Sequence, residues 1–345
     1  MVCPDLSPAV ARSACLRCTD GHKKPGQDIL VTPANTQPYR HASLPLAPRV
    51  VAVVVAYLPD MLQLRRLLRA LAPQVASGCI VHNGPHLPDL AVQTELEGFT
   101  VVHLGANLGV ASALNAGFAW AQENQADYVV SFDQDSEPAT GMVERLLHAF
   151  AALTQLGQKV GAVGPQQVDW ATGKAAPFIA PIAGPRHRIF PLPGDPLEVD
   201  HLITSGCLVP MTSWTMDGHF MDALFIDYVD IEWCLRLRSR GWKMFGVGDA
   251  HLMHSIGEGV KRIGRRQVAW HGPLRHYYIF RNAVFLQHLP YIYRLWKISD
   301  VWQLVKKFVF FAFVARPRGV HVRAMVLGIR DGWRGQLGPS NARFD

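Results

Sequence analysis

Apolar residues first become dense at Val50 to Tyr57, VVAVVVAY. A run this continuous and this rich in β-branched residues predicts a strand buried on both faces, as in a parallel sheet. Pro59 and Asp60 interrupt it, and MLQLRRLLRAL follows with leucines at helical spacing. Gly78 to His82 and Phe99 to Leu104 predict a second and a third strand, and Leu108 to Asn124, rich in Ala and Leu, predicts a helix. Tyr128 to Phe132, YVVSF, predicts a fourth strand that runs directly into Asp133-Gln134-Asp135. Pro138 is expected to open the next helix, where the missing N–H of proline has no intrahelical partner to lose.

Further on, Val160 to Val163 predicts another strand, 170–198 reads as loops because of its Pro and Gly, and Ser205-Gly206-Cys207 reads as a small-residue turn. A helix is expected from near Val229 to Gly241, which suits its end. Lys243 to Val247 and Ala250 to Met253 are expected as two short strands with His254 after them. From Trp270 the chain reads helical, basic and aromatic. Strand and helix alternate, so the fold class is α/β, an open and mostly parallel central sheet followed by C-terminal basic helices. In such sheets a ligand sits at the carboxyl ends of the strands, where Asp133 and Asp135 fall.

Composition refines the division into parts. Residues 1–48 hold seven prolines and little apolar period, which predicts a mobile leader. The catalytic domain is expected over 49–268 and a helical, basic segment over 269–345. Residues 261–345 carry 16 Lys/Arg and three acids, a net +13, so the rest of this +7 chain is −6. An acidic body with a basic tail suggests that the tail meets an anionic partner. Val301 to Val314, VWQLVKKFVFFAFV, with arginines beyond it, suits a helix lying in a membrane interface. No recognisable nucleic-acid motif supports the alternative of nucleic acid. Among the six cysteines, Cys15 and Cys18 form a C-x-x-C near His22, half of a zinc site at most. The cysteines lack the dense spacing of a disulfide scaffold, which points to a reducing compartment. No run of 18 apolar residues and no secretory signal is expected.

Three sets of residues carry candidate chemistry. Two carboxylates at i and i+2 on a strand end, Asp133 and Asp135, suit one Mg2+ or Mn2+ ion, whose remaining ligands are phosphate and water. A solvated turn with a capping aspartate is the plainer alternative. Asp230, at the start of the expected helix with Glu232 and Arg236, is a candidate general base, with Asp227 as its rival; spacing alone favours simple capping. His254 and His251 sit at a strand end, where a histidine is more commonly structural than a ligand.

The order of these features resembles glycosyltransferase family 2, and within it the rhamnosyltransferases of bacterial surface polysaccharides and rhamnolipids. The matching segments are VVAVVVAYLPD, GANLGVASALNAG (Gly105–Gly117), YVVSFDQDSEP (Tyr128–Pro138), SGCLV (Ser205–Val209), LFIDYVDIEWCLRLRSRGW (Leu224–Trp242), HLMHSIG (His251–Gly257) and PLRHYYIFRN (Pro273–Asn282). They span about residues 50–285 in order. The resemblance implies a GT-A nucleotide-sugar fold, a divalent metal, inversion at the anomeric carbon, and dTDP-L-rhamnose as donor. It assigns Asp133 and Asp135 to the metal and diphosphate, Asp230 to the base, and His254 to a further metal or diphosphate contact. Asn107 and Asn115 fall in the part lining the nucleotide, with Asn83 beside them. Trp233 and Arg236 hold the acceptor or the helix itself.

Two places depart from the family pattern: Ala56-Tyr57-Leu58 replaces T-Y-N, and Val81-His82-Asn83-Gly84 replaces V-D-N-G. Histidine can bond a pyrimidine edge but offers no fixed carboxylate acceptor, so the base preference stays open. The expected function is an inverting, metal-dependent rhamnosyltransferase acting on a lipid-linked glycan or glycolipid. It is expected in the cytoplasm, peripheral on the inner face of the cell membrane. A family member using another nucleotide sugar, such as a UDP-sugar, and a non-catalytic membrane-associated scaffold are the alternatives.

Overall fold

The computed structural model describes residues 48–86, 98–170, 173–180, 188–254, 260–263, 266–269, 271–340, 342 and 344. The leader and its Cys15, Cys18 and His22 lie outside them. The strands are β1 (Val50–Ala56), β2 (Ser77–His82), β3 (Thr100–His103), β4 (Tyr128–Asp133), β5 (Ser136–Pro138), β6 (Val160–Asp169), β7 (Phe178–Ile179), β8 (Arg188–Ile189), β9 (Leu197–Val199), β10 (Leu208–Pro210), β11 (Lys243–His254), β12 (Val260–Ile263) and β13 (Arg266–Ala269). The helices are α1 (Met61–Leu71), α2 (Val110–Glu123), α3 (Met142–Gln155), α4 (Met211–Asp217), α5 (Val229–Ser239), α6 (Pro273–Leu286), α7 (Arg294–Val314) and α8 (Arg318–Trp333).

Nine of the described strands form one sheet in the order β3-β2-β1-β4-β10-β6-β11-β5, with β9 also paired to β11. Strands β1 to β4 run parallel, β10 runs against both β4 and β6, and β6 and β11 are again parallel. This is the mostly parallel α/β sheet that the alternating pattern predicts. The reason that β1 has no polar residue is visible in its two faces. Val51, Val53 and Val55 join a core with α2, α5 and the C-terminal helices. Val50, Ala52, Val54 and Ala56 join a second core with α1 and α3. In α1, Asp60 caps the first turn by accepting the N–H groups of Leu62 and Gln63, and Leu64, Leu67, Leu68 and Leu71 are buried.

Three local expectations are corrected. Pro138 does not open a helix: it ends β5, opposite Leu252 of β11, and α3 begins at Met142. The strand is at the sheet edge, where proline's lack of an N–H is tolerated. The two short strands expected between Lys243 and Met253 are one strand, β11, with an irregularity between Val247 and His251. Strand β6 runs on to Asp169 beside it, and the segment read as loops contains β7, β8 and β9.

The C-terminal helices share the larger core with the sheet. Ile279, Phe280, Trp296, Leu304, Phe311 and Met325 cluster with Tyr228, Trp233 and Leu237. No described helix is long and apolar enough to cross a membrane.

Candidate active site

The site begins with a hydroxyl. Ser205, fully buried in the small-residue turn, accepts the Asp133 N–H at 3.1 Å and meets the Ser136 hydroxyl at 2.6 Å. The Ser131 hydroxyl donates to the Thr204 carbonyl, and the Gly206 N–H to that of Ser131. Gly206 is left-handed, and a Cβ there would strike Pro165 at 2.6 Å, which explains the glycine. Gln134, between the two aspartates, accepts the Tyr57 N–H at 2.7 Å and so closes the end of β1. The intervening residues of D-Q-D-S are thus used for position, and Asp133 and Asp135 both line a cleft of about 550 Å³.

A second segment, 224–230, contributes Ile226 to Asp230 to the same cleft. Phe225, Asp227 and Tyr228 all have left-handed φ, at 65°, 61° and 64°. The Ile226 N–H donates to the Leu224 carbonyl, so Phe225, with ψ of −64°, is the centre of a γ-turn of the rare, strained hand. Each such residue costs of order 1–3 kcal/mol and persists only where neighbours over-determine it. Here α6 supplies the neighbours. The fully buried Asn282 donates to the carbonyls of Leu224, Ile226 and Asp227 at 3.0, 2.8 and 2.9 Å. Arg281 donates to Leu224 at 2.8 Å, and Arg275 grips the Asp227 carboxylate through Nε and Nη2 at 3.0–3.2 Å. On the other side Gly109 lies directly against Phe225, where a Cβ would be 2.6 Å from its carbonyl oxygen. Tyr228 reaches α7, donating to Asp300 at 3.0 Å.

Asp230 follows in the first turn of α5 and lines the same cleft. Its Oδ1 accepts the Ile231 N–H at 2.8 Å. Burial raises its carboxyl above the ordinary range and the Asp227 charge adds to this, while His201 and the Ile231 N–H act in the opposite direction. The two rivals for a base therefore differ: Asp227 is engaged in a bidentate ion pair, and Asp230 has the raised proton affinity.

The other expected site residues divide. Asn83 accepts the Leu108 N–H at 2.8 Å and donates to Asn107, which accepts the Gly109 N–H at 3.1 Å. Both lie at the strand ends beside β1. His82 pairs with Ala56 and Asp133 with Val55 on either side of β1, so the two backbones are about 10 Å apart, two strand spacings. The His82 ring stacks on His103 with Nδ1 atoms 3.1 Å apart, and burial followed by the His103 charge lowers its pKa.

Asn115 is placed differently: its amide bonds Phe220 twice and Asp222 once, docking α2 on the 220–222 loop rather than lining the cleft. Trp233 is buried, and Arg236 binds Glu232 and the carbonyls of Asp217 and His219, so both hold α5 in place. The backbone of His254 pairs with Ser136, next to Asp135, while its side chain lies outside the described residues. Among the described residues no three His, Cys, Asp or Glu groups stand together as a metal site. A pair of carboxylates on one cleft is still the donor set that Mg2+ or Mn2+ takes when phosphate and water complete the shell, and Asp133 and Asp135 fit it. Sequence reading missed Thr204, His271, Arg275 and Lys307, which also line the cleft. Arg275 lies inside the PLRHYYIFRN segment, but nothing local marks its partner.

The sheet thus carries an acidic cleft at the carboxyl ends of its strands, where open α/β folds bind their ligands. Residues 54–190 match the model of glycosyl transferase family 2. The chain is 28% identical over 292 residues to the dTDP-rhamnosyl transferase RfbF of Shigella flexneri, covering 84% of this chain and 97% of that protein. In fold it is similar to S. aureus TarS 1-349, with 13% identity, a TM-score of 0.51, and coverage of 82% and 80%. The UDP-GlcNAc complex of the same TarS fragment gives 14%, 0.51, 82% and 81%.

Two outcomes follow for the loop and the base. Asn282→Ala takes a buried donor from the Ile226 and Asp227 carbonyls and one of several from Leu224, and should lower unfolding stability by about 2 kcal/mol or more, read by urea denaturation. Asp230→Asn should stabilise the protein near pH 8. A carboxyl whose pKa folding raises destabilises the native state most above its folded pKa, so this gain should fade as pH falls through that raised value and be gone below the ordinary aspartate range. A gain independent of pH would show that Asp230 is not raised.

Proposed function

We propose that this glycosyltransferase moves L-rhamnose from dTDP-L-rhamnose to a hydroxyl of a lipid-linked glycan or glycolipid, with inversion. The observation that carries the reading is that Asp133, Asp135 and Asp230, from separate stretches of sequence, line one cleft. The likeness to the Shigella flexneri enzyme over nearly its whole length supports the donor. The nucleoside end is proposed at His82, Asn83 and Asn107, and the diphosphate about 10 Å away at Asp133, across the width of β1.

Held by Asp133 and Asp135, with His254 as a further ligand, a Mg2+ or Mn2+ ion would neutralise the charge that develops on the departing diphosphate. Asp230 accepts the proton of the acceptor hydroxyl as its oxygen bonds the anomeric carbon. The bond from that carbon to the diphosphate oxygen breaks on the opposite face, which inverts the centre. The raised proton affinity of Asp230 suits it to this role, because a base poised nearer neutrality accepts a proton more readily. The Arg275 ion pair keeps Asp227 out of it and braces the loop.

A second donor reading rests on His82. The imidazole pair with His103 stands where the family offers a carboxylate, so a UDP-sugar is the rival donor. Association with an anionic membrane surface is supported by α7. Its outer face exposes Leu295, Ile298, Trp302, Val305, Val309 and Phe313 over about 27 Å, with Arg294, Lys306, Arg316 and Arg318 around them.

Thermal shift with dTDP, UDP, GDP and CMP, with and without Mg2+ or Mn2+, tests the donor. The largest metal-dependent shift is expected with dTDP; a larger one with UDP moves the donor assignment. Asp230→Asn should cut kcat by 10²-fold or more, within the usual range for a general base, and remove the acid limb of the pH profile. An unchanged kcat would rule Asp230 out. Co-sedimentation with vesicles containing anionic lipid should be clear for the native protein and lost in Trp302→Glu/Val309→Glu; equal binding by both would place the contact elsewhere.

A further inference from the structure

Helix α7 has an inner face as well as an outer one. Trp296, Asp300, Leu304 and Phe311 are buried along it at helical spacing. Lys307 falls within the same stripe, three residues after Leu304 and four before Phe311, and it lines the cleft. Its placement relative to the base is determined by Asp300. That residue accepts the hydroxyl of Tyr228, two positions before Asp230, and stands two helical turns, about 10 Å, before Lys307.

His271, immediately before α6, lines the cleft too. Behind them the fully buried rings of His276 and His321 meet through Nδ1 atoms 2.9 Å apart and join α6 to α8. Burial first, then the charges of His321, His271 and Lys307, push His276 down to about 3, so this wall carries a positive field with a neutral imidazole behind it. The same cleft also carries the acids Asp133, Asp135 and Asp230. Arg275 also lines the cleft and pairs with Asp227.

We propose that Lys307, with His271 beside it, is a phosphate subsite of the cleft contributed by the C-terminal helices. This rests on reading the cleft as the nucleotide-sugar site. A compact ammonium lining the cleft is suited to a phosphate oxygen as a point charge. The phosphate has two sources, the diphosphate of the donor or a phosphate of a lipid-linked acceptor.

Lys307→Met and Lys307→Arg, at a solvent-exposed position, separate the sources. Calorimetry with dTDP, UDP and thymidine is run beside KM for the donor, for a lipid-phosphate acceptor and for the same acceptor glycan without phosphate. If the donor is the source, Lys307→Met weakens diphosphate binding about tenfold, thymidine is unchanged, and Lys307→Arg recovers most of the loss. If the acceptor is the source, diphosphate binding is unchanged and KM rises about tenfold for the phosphorylated acceptor alone. Native-like values in every arm overturn the proposal. Failure of the native protein to bind any nucleoside diphosphate, with or without metal, overturns the nucleotide-sugar reading itself and this subsite with it.

Discussion

One buried amide group governs the geometry of the cleft. The Asn282 side chain has two N–H groups and serves three backbone carbonyls of residues 224–227, so one hydrogen is shared. The segment it holds contains three non-glycine residues in the left-handed region, a conformation that a chain of ordinary L-residues leaves unless something retains it. Releasing it would let Tyr228 leave Asp300 and let the first turn of α5 re-aim Asp230. The strain in this loop and the polar density of α6 are two sides of one arrangement.

The acidic pair is held by a second, smaller anchor. Ser205 reads Asp133 through its backbone N–H and Ser136 through its hydroxyl, tying both ends of D-Q-D-S to a turn between β9 and β10. Strand β10 runs antiparallel between β4 and β6, which brings that turn to the carboxyl end of β4. Two independent anchors, one hydroxyl and one amide, thus position the acidic groups of the cleft.

The C-terminal helices belong to this machinery. Helix α6 braces the loop, α7 touches it through Asp300 and lines the cleft with Lys307, and α8 closes over both. The positive charge of this region is therefore not all outward. Arg281 is buried, donating to Leu224 and Gly338. Arg275 is spent on Asp227. The apolar outer stripe of α7 and its basic surround remain for a surface partner.

The sequence by itself determined the parallel sheet, because a strand buried on both faces must be apolar at every position, and β1 is. It also determined the place of Asp133 and Asp135, since a strand end is a local property, and it marked the start of α5 and the run of basic helices. Tertiary structure decided the rest. Asn115, Trp233 and Arg236 carry the same types of groups as site residues, yet their partners, 15 to 107 residues away, turn them to support. Pro138 lies in a strand because β11, more than a hundred residues later, pairs with it. Asp227 and Asp230 differ in role through Arg275 and through burial. Lys307 enters the cleft by the packing of a helix far along the chain. Pattern and spacing record what neighbours in sequence must do; hydrogen bonds and charge pairs between distant segments leave no period to read.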